Sequence, residues 1–218
     1  MPTEPAVSLA EQAIAAIREM VRDGVLLPGQ PVRQAAVAGD LGISRVPVRE
    51  ALKNLQAEGL VEASPSGGFV VARLSADELS QIYLMRRLLE TEMLRRVPLP
   101  VDDDEIAALT DLNQRLAAAA ARPSSREWKQ LNRDLHFRMF GLAGLEHVLA
   151  ETARLWDKTE PYRSVYSAGH ETRLRILDEH VKIIDALRRG DTDELIAQMD
   201  GHRGTSERSV VSVLTSPR

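Results

Sequence analysis

The sequence predicts a mainly α-helical protein with two domains: an N-terminal winged helix-turn-helix with a small β-hairpin, and an all-α helical bundle. Three observations predict it. Gly42 separates two helical patterns, and two short apolar strands follow them. The capping-box pattern of a helix start, serine or aspartate followed three residues later by glutamate, recurs along the chain. After residue 74 no strand pattern is convincing, so we expect domains at residues 8–74 and 75–214.

The first helix of the N-terminal domain is predicted to begin after Ser8, which forms a capping-box pattern with Glu11. Apolar residues then recur at three- and four-residue steps as far as Gly24, where the helix should end. A short helix is predicted next, at residues 32–40. These two helices are expected to support a third.

The third helix is predicted to begin at Ser44, whose side chain can accept a free amide hydrogen there, because Gly42 ends the helix before it. Val48, Leu52 and Leu55 recur at helical steps and form a buried stripe. The opposite face carries three cations: Arg45, Arg49 and Lys53. Such a face suits the major groove of DNA, where arginine donates two hydrogen bonds to guanine O6 and N7. A solvated amphipathic helix is the alternative.

Two short apolar strands are predicted at residues 60–63 and 68–73, joined through a turn rich in serine, proline and glycine. A hairpin that follows a helix-turn-helix is a wing. The residues expected to contact DNA lie before the third helix, on its exposed face and in the wing: Arg33, Ser44, Arg45, Val46, Arg49, Lys53, Gly67 and Gly68.

An ordered series of segments spans this domain: Pro28-Gly29, Leu41-Gly42-Ile43-Ser44-Arg45, Pro47-Val48-Arg49-Glu50-Ala51-Leu52, Leu55, Glu58-Gly59-Leu60-Val61 and Gly67-Gly68-Phe69-Val70. The series resembles the DNA-binding domain of the GntR family of bacterial transcription regulators. The resemblance implies double-stranded DNA as a partner. It also implies a homodimer that places two recognition helices on a palindromic operator.

Composition limits the other partners and chemistries. The 218 residues include no cysteine, which excludes disulfides and thiolate metal sites. No window approaches the ~20 apolar residues of a membrane span, and the N-terminus lacks the pattern of a signal peptide. We therefore expect a cytoplasmic protein without a membrane partner. The formal net charge is −4, so attraction to DNA must come from the local cations.

Six helices are predicted in the C-terminal domain, at about residues 76–97, 102–121, 125–143, 146–158, 170–189 and 192–213. Proline or glycine separates them, and Pro161 is expected to lie beyond the end of the fourth. Capping-box patterns mark three of the starts: Ser75 with Glu78, Asp102 with Glu105, and Ser124 with Glu127.

Three of the five histidines are expected to converge inside this bundle. His136 lies on the third helix of the bundle with Asn132 one turn before it, so both side chains leave the same face. The chain turns at Gly190-Asp191. His180 lies about ten residues before this turn and His202 about eleven after it, which places their rings at similar heights on antiparallel helices. Three imidazoles suit Zn²⁺ or Ni²⁺, or Mn²⁺ with more oxygen ligands. Hydrogen-bonded core histidines are the alternative.

The closing hairpin contains a further set of residues: Glu179-His180, Ile184, Ala186-Leu187, Gly190-Asp191, Met199 and His202. This set resembles the FCD ligand domain of the FadR subfamily of GntR regulators. The resemblance implies a divalent metal site at His136, His180 and His202. Its fourth position usually holds aspartate, whereas this chain has Asn132. An amide oxygen can coordinate but brings no charge, so weaker metal affinity or a different preferred ion is expected.

Arg86 and Glu90, on the first long helix, resemble the Arg-x-x-x-Glu segment of the same family. The resemblance implies that Arg86 anchors an anionic effector, a small carboxylic acid, because a guanidinium holds a carboxylate in a fork. An ion pair between Arg86 and Glu90 is the alternative and is compatible with that role. The asparagine usual after the small-residue turn is absent, since Leu145 follows Gly144.

Together these features predict a ligand-responsive transcription regulator, expected to be a repressor, whose C-terminal domain binds a small carboxylic acid and a divalent metal. No His-Glu-x-x-His motif, phosphate-binding glycine loop or Ser-His-Asp arrangement indicates an enzyme. Two alternatives remain: a metal-dependent hydrolase that uses the three histidines, and an architectural DNA-binding protein with a structural metal site.

Overall fold

The computed structural model describes residues 7–122, 126–166 and 169–215. The chain divides into two compact units, and the boundary between them lies between Leu74 and Ser75. The described helices include none that combines the length and the apolar character needed to cross a membrane.

The N-terminal unit contains three helices and a hairpin: α1 (Leu9–Arg22), α2 (Gln34–Leu41), α3 (Arg45–Ala57), β1 (Val61–Ala63) and β2 (Phe69–Val71). The strands are antiparallel, with Val61 opposite Val71. Both are shorter than the sequence predicted. At the start of β2 the reason is Gly68, whose φ of 82° does not fit a strand.

The core of this unit lies between α1, α3 and the hairpin. Ala13, Ile17 and Val21 of α1 are buried, and they belong to one cluster with the predicted apolar stripe of α3. The capping box at Ser8 is present, since the Ser8 hydroxyl accepts from the Glu11 amide at 3.2 Å and the Glu11 carboxylate accepts from the Ser8 amide at 2.8 Å. The capping box stabilises the start of α1, and the shared apolar cluster packs α1 against α3.

The start of α3 differs from the prediction in one respect. Gly42 ends α2 in the left-handed conformation, with φ 65°, as its position suggested. Ser44 occupies the position before the helix, but its side chain forms no capping hydrogen bond, so the expected cap is wrong. Ser44 is exposed, and water can satisfy the amide hydrogens of the first turn instead.

The C-terminal unit is a bundle of six helices: α4 (Ala76–Arg95), α5 (Asp103–Ala120), α6 (Arg126–Gly141), α7 (Glu146–Tyr166), α8 (His170–Arg189) and α9 (Thr192–Thr215). α5 packs against α6 and α8, whereas α4 packs against α7 and α9, and α8 and α9 pack on each other. Ser75 and Glu78 form the predicted capping box. Asp102 precedes α5 without a side-chain cap, and Ser124 lies outside the described residues.

One predicted boundary in the bundle is wrong. α7 continues through Pro161 to Tyr166, although the proline was expected to lie beyond the helix. Proline inside a helix removes a hydrogen bond and crowds the preceding turn, at a cost of about 3 kcal/mol. Thr159, Pro161 and Tyr162 are buried where α7 packs on α4 and α9. Burial of this face offsets the local cost.

Candidate metal centre and nucleic-acid interface

Three histidine rings meet inside the C-terminal unit. The ring centroids are 5.1 Å apart for His136 and His180, 5.2 Å for His136 and His202, and 5.1 Å for His180 and His202. All three residues are buried, and a ring nitrogen of each lies within 4.8 Å of the others. They come from α6, α8 and α9, so the structure brings together the rings of His180 and His202, which residue spacing placed at similar heights, and that of His136, which was expected to converge with them. His147 and His170 are exposed and take no part.

A hydrogen bond fixes the tautomer of His180. Its Nδ1 lies 3.2 Å from Oδ1 of Asn113, and the Asn113 amide nitrogen donates to the Leu177 carbonyl at 3.3 Å. Because the amide nitrogen is used there, the amide oxygen faces the ring and the His180 Nδ1 carries the proton. Its Nε2 therefore presents a lone pair, and that atom has no partner within the protein.

A carboxylate plays the same part for His202. Its Nδ1 donates to Oε2 of Glu179 at 2.6 Å, and Arg175 also donates to Glu179. Burial raises the pKa of Glu179, but the hydrogen bond and charge of His202 and the guanidinium of Arg175 outweigh it and lower that pKa. Pairing of one ring nitrogen with a carboxylate or a carbonyl-type oxygen is typical of metal-binding histidines, because it directs the other nitrogen toward the metal.

His136 tests whether the cluster fits a metal ion. Both of its ring nitrogens are buried and have no hydrogen-bond partner, which costs about 1–3 kcal/mol for each polar atom. Burial, reinforced by the other two rings, holds the pKa of His136 well below its ordinary value. Burial also lowers the pKa of His180 and, despite Glu179, that of His202. Neutral imidazoles with free lone pairs are what a divalent ion requires, so these residues fit one.

The predicted fourth ligand, Asn132, lies one turn before His136 and is 6% exposed. It borders a small cavity together with His202. Asp134 accepts a hydrogen bond from Gln130 at 2.7 Å and is not part of the histidine cluster. Among the described acidic residues none joins the histidine cluster. The candidate ligands are therefore three imidazoles and an amide, all of them neutral.

Arg86, the predicted effector anchor, is buried and already engaged. Its Nε donates to Glu90 Oε1 at 2.9 Å and its Nη1 donates to Thr159 Oγ1 at 3.3 Å. The guanidinium carbon also lies 4.4 Å from the ring centroid of Trp156 and 5.0 Å from that of Tyr83. The ion pair considered as the alternative is thus present, while Arg86 still borders a cavity next to His136.

Two arginines that the sequence did not single out border the same cavity, Arg163 and Arg203. The Arg163 guanidinium carbon lies 4.1 Å from the Trp156 ring centroid, and Arg203 donates through Nε to Glu90 Oε2 at 2.7 Å. Arg163 was hidden by the wrong boundary of α7, since it lies beyond the predicted helix. Arg203 follows His202 directly, which was a signal, but only the packing of α9 on α4 shows where it lies.

The exposed face of α3 carries the predicted DNA-contacting residues. Arg45, Arg49 and Lys53 are exposed at successive four-residue steps, and Val46 beside them is 66% exposed. Across the described parts of the chain, no ion pair involves these three cations. The opposite face is fully buried. The cationic face is therefore open to a partner.

The remaining predicted contacts lie at the starts of α2 and α3 and in the hairpin. Arg33 and Ser44 are exposed just before α2 and α3. Gly67 and Gly68 are exposed at the tip of the hairpin with φ of 91° and 82°, a conformation that favours glycine. Glycine also leaves the backbone accessible at the tip.

Each of the two units matches a known protein family. Residues 9–71 match the family described as bacterial regulatory proteins, gntR family, and residues 81–205 match the FCD domain. The Nta operon transcriptional regulator of Aminobacter aminovorans is 29% identical over 177 residues, which cover 80% of this chain and 81% of that protein. The HTH-type transcriptional repressor RspR of Escherichia coli (strain K12) is 23% identical over 216 residues, which cover 96% of this chain and 90% of that protein.

A solved structure has the same fold. The structure of E. coli McbR/YncC superposes with a TM-score of 0.81 at 20% sequence identity, and the match covers 94% of this chain and 97% of that one. This likeness confirms the predicted order of a winged helix-turn-helix followed by an all-α domain.

Proposed function

Because the chain belongs to the GntR family of bacterial transcription regulators and carries an FCD domain, we propose that its helical domain binds a small carboxylic acid together with a divalent metal ion. The protein is a transcription regulator with a helix-turn-helix DNA-binding domain. The observation that carries the proposal is the histidine cluster, in which His136 has two buried ring nitrogens without partners. Core histidines that served only packing would have hydrogen bonds.

The proposed metal ligands are the ring nitrogens of His136, His180 and His202 and the amide oxygen of Asn132. Asn113 keeps the proton of His180 on Nδ1, and Glu179 does the same for His202. The unprotonated Nε2 of each ring can therefore bind the metal ion. Imidazole and amide donors suit Zn²⁺, Ni²⁺ or Mn²⁺. A bound divalent ion supplies positive charge that these neutral ligands leave uncompensated, and an anionic effector complements it.

On the DNA side, we assign Arg45 and Arg49 to base edges in the major groove, because they lie in the N-terminal half of α3. Lys53 and Arg33 are assigned to phosphates, and the backbone of Gly67 and Gly68 to the groove beside them. A cationic face of so few residues binds DNA weakly, so two copies on a palindromic operator are needed for specificity.

A homodimer is also supported by the C-terminal unit. Leu84, Met85 and Leu88 are exposed on α4, and Leu88 is 62% exposed. These positions are one turn apart or adjacent, so they form one apolar patch, and such patches favour association. A second copy of the chain is the occupant that a palindromic operator requires. We place the dimer in the cytoplasm, where its operator lies.

Control of DNA binding follows if the acid favours one arrangement of the dimer over another. Repression relieved by the acid is the expected sense, and the name of the relative RspR as a repressor supports it.

The test uses the full-length protein and an operator selected from a pool of random duplexes. Elemental analysis after incubation with Zn²⁺, Ni²⁺ or Mn²⁺ should show metal in the wild type, and short carboxylic acids should change its affinity for the operator. His180→Ala should lose the metal and the response to acid but retain operator binding. His147→Ala, which alters an exposed histidine, is the matched control.

Full metal occupancy in His180→Ala would exclude this site as the metal centre. If no acid changes the affinity for the operator, the architectural alternative is favoured. If the wild type shows hydrolytic turnover that His180→Ala lacks, the hydrolase is favoured. No structural observation favours either of them at present.

A further inference from the structure

Arg203 has a feature that no other described arginine shares. It is 4% exposed, and its Nη2 is buried without a hydrogen-bond partner. Its other nitrogens are held, because Nε donates to Glu90 Oε2 at 2.7 Å and Nη1 donates to Asp200 Oδ1 at 2.6 Å. An unpaired N–H of a buried guanidinium is costly, and its presence in a well-packed unit points to a ligand that accepts from it.

Two of the three histidines of the proposed metal centre line the cavity next to Arg203. Arg203 borders it together with His136, His202, Arg86 and Arg163. An acceptor that reaches Arg203 from this cavity therefore lies beside the histidine cluster. A carboxylate has two oxygens, so one can accept from the guanidinium while the other faces the imidazoles.

The charges around the cavity select an anion. Three guanidinium groups border it, and among the described lining residues the acidic one is Glu90. Arg163 and Arg203 also pair with Glu160 and Asp200, which do not line this cavity. Glu90 accepts from both Arg86 and Arg203. Burial raises its pKa, but these two cations and the Trp156 hydrogen bond outweigh that effect and lower the pKa to about 2, so Glu90 is ionised and already shared. An anion inside the cavity would therefore face the guanidinium groups directly, while Asp200 and Glu160 lie outside its lining.

Arg86 is less suited to be the anchor. Its Nε and Nη1 have partners, as those of Arg203 do, but its guanidinium is also stacked on Trp156 and none of its nitrogens is a buried donor without a partner. Through Glu90, whose Oε1 accepts from Arg86 and whose Oε2 accepts from Arg203, Arg86 helps to hold Arg203 in place. Arg86 is thus a positioning residue, and the structure reassigns the role that the family resemblance implied for it.

The cavity also limits the size of the ligand. The space free of protein atoms, with the adjoining open solvent included, is about 240 Å³ beside Arg203 and about 350 Å³ in the neighbouring cavity, which shares Arg163, His202 and Ser206. Each has enclosed room for about one water molecule, so a bound acid must be short or must displace neighbouring side chains.

We propose that Arg203, through its Nη2, is the residue that binds the carboxylate of the effector, with Arg86 and Glu90 fixing its orientation. The inference rests on the proposed function, since it assigns the contact by which a small carboxylic acid is recognised. It predicts an acid whose carboxylate is close enough to the histidine cluster to contact both.

The test measures thermal shifts of the full-length protein loaded with Zn²⁺ in the presence of formate, acetate, L-lactate, malonate or citrate. Each acid is compared with an uncharged analogue, such as L-lactamide for L-lactate. The acid that stabilises the wild type most is then titrated against Arg203→Lys and Arg203→Met. Loss of a charge-assisted hydrogen bond should weaken its binding about tenfold or more. Arg203→Lys retains a charge next to Glu90, which guards against a simple failure to fold.

Two controls separate the assignments. Arg115→Met removes an exposed arginine of the same unit and should bind the acid like the wild type. Arg86→Lys should weaken binding less than Arg203→Lys, because Arg203 remains in place. Zinc content should be unchanged in both Arg203 variants, which shows that the lost affinity concerns the acid.

The outcomes divide as follows. If an acid binds the wild type and Arg203→Lys equally well, the assignment to Arg203 is wrong while the proposed function stands. A larger loss in Arg86→Lys than in Arg203→Lys would return the role to Arg86. If none of the acids stabilises the wild type, both the inference and the acid-binding part of the proposed function are refuted.

Discussion

Replacing Asn132 by aspartate tests whether this residue is the fourth metal ligand. Asn132 is 6% exposed and lies one turn before His136, so an aspartate there would present its oxygen on the same face of α6. The candidate ligands of the wild type are all neutral. The variant adds one negative charge beside a divalent ion, and ligand charge is a main determinant of metal affinity.

The expected gain is about 10- to 100-fold in affinity for Zn²⁺ or Mn²⁺, or about 1.4–2.7 kcal/mol. Without metal the effect should be opposite, because the new carboxylate is buried next to neutral groups, at a cost of about 1–3 kcal/mol. Lys129 and Arg163 border the same cavity and should keep the cost toward the lower end. At about 3 °C per kcal/mol, the metal-free protein should melt several degrees lower.

The assay combines competition with a chelating dye and thermal melts with and without metal. Asn132→Asp should melt below the wild type without metal and gain more from metal than the wild type does. Gln114→Glu makes the same chemical change at an exposed position on α5 and should leave both quantities unchanged. Equal metal affinity in Asn132→Asp and the wild type would refute the assignment of Asn132 as a ligand.

Three further predictions concern the DNA-binding face and the buried ion pairs. Arg49→Ala should abolish specific operator binding, as seen by footprinting, without lowering the melting temperature, whereas Arg115→Ala should have no effect. Val46→Ala should relax a preference for thymine at one operator position, measured by selection from random duplexes, because an exposed valine suits the thymine methyl group. Glu90→Gln should lower the unfolding free energy at pH 7 by about 3 kcal/mol, because two buried arginines lose their carboxylate. The pKa of Glu90 is lowered in the folded protein from 4.5 to about 2, so its contribution is present above pH 4.5 and is lost as the pH falls toward 2; urea titrations should show the difference between variant and wild type shrinking across that range.

The sequence predicted the N-terminal unit well because its signals are local. Ser8, Gly42 and the stripe of Val48, Leu52 and Leu55 each determine structure within a few residues of themselves. The sequence did not predict two local details of this unit, the missing cap at Ser44 and the shorter second strand. An exposed Ser44 forms no cap, and the left-handed conformation of Gly68 shortens the second strand.

In the bundle, His180 and His202 could be placed because the turn at Gly190 relates them by counting residues, whereas His136 lies on another helix and was joined to them by the family resemblance. Arg203 could not be placed in this way. Its significance lies in the shared contact with Glu90, which joins α9 to α4 across more than a hundred residues of sequence. Pro161 misled the prediction of α7 because a local breaker was outweighed by burial against two other helices.

The neutral ligand set connects the two halves of the proposed site. With aspartate at position 132, a metal ion would be partly neutralised by the protein itself. With Asn132, the charge would be left for the effector, whose carboxylate is proposed to lie between the histidine cluster and Arg203. Binding of the acid and of the metal should therefore favour each other, and by linkage each raises the affinity of the other by the same factor. A regulator built in this way would respond to lower concentrations of the acid when the metal is also present, which is a physical reason for an amide at a position where a carboxylate would bind the metal more tightly.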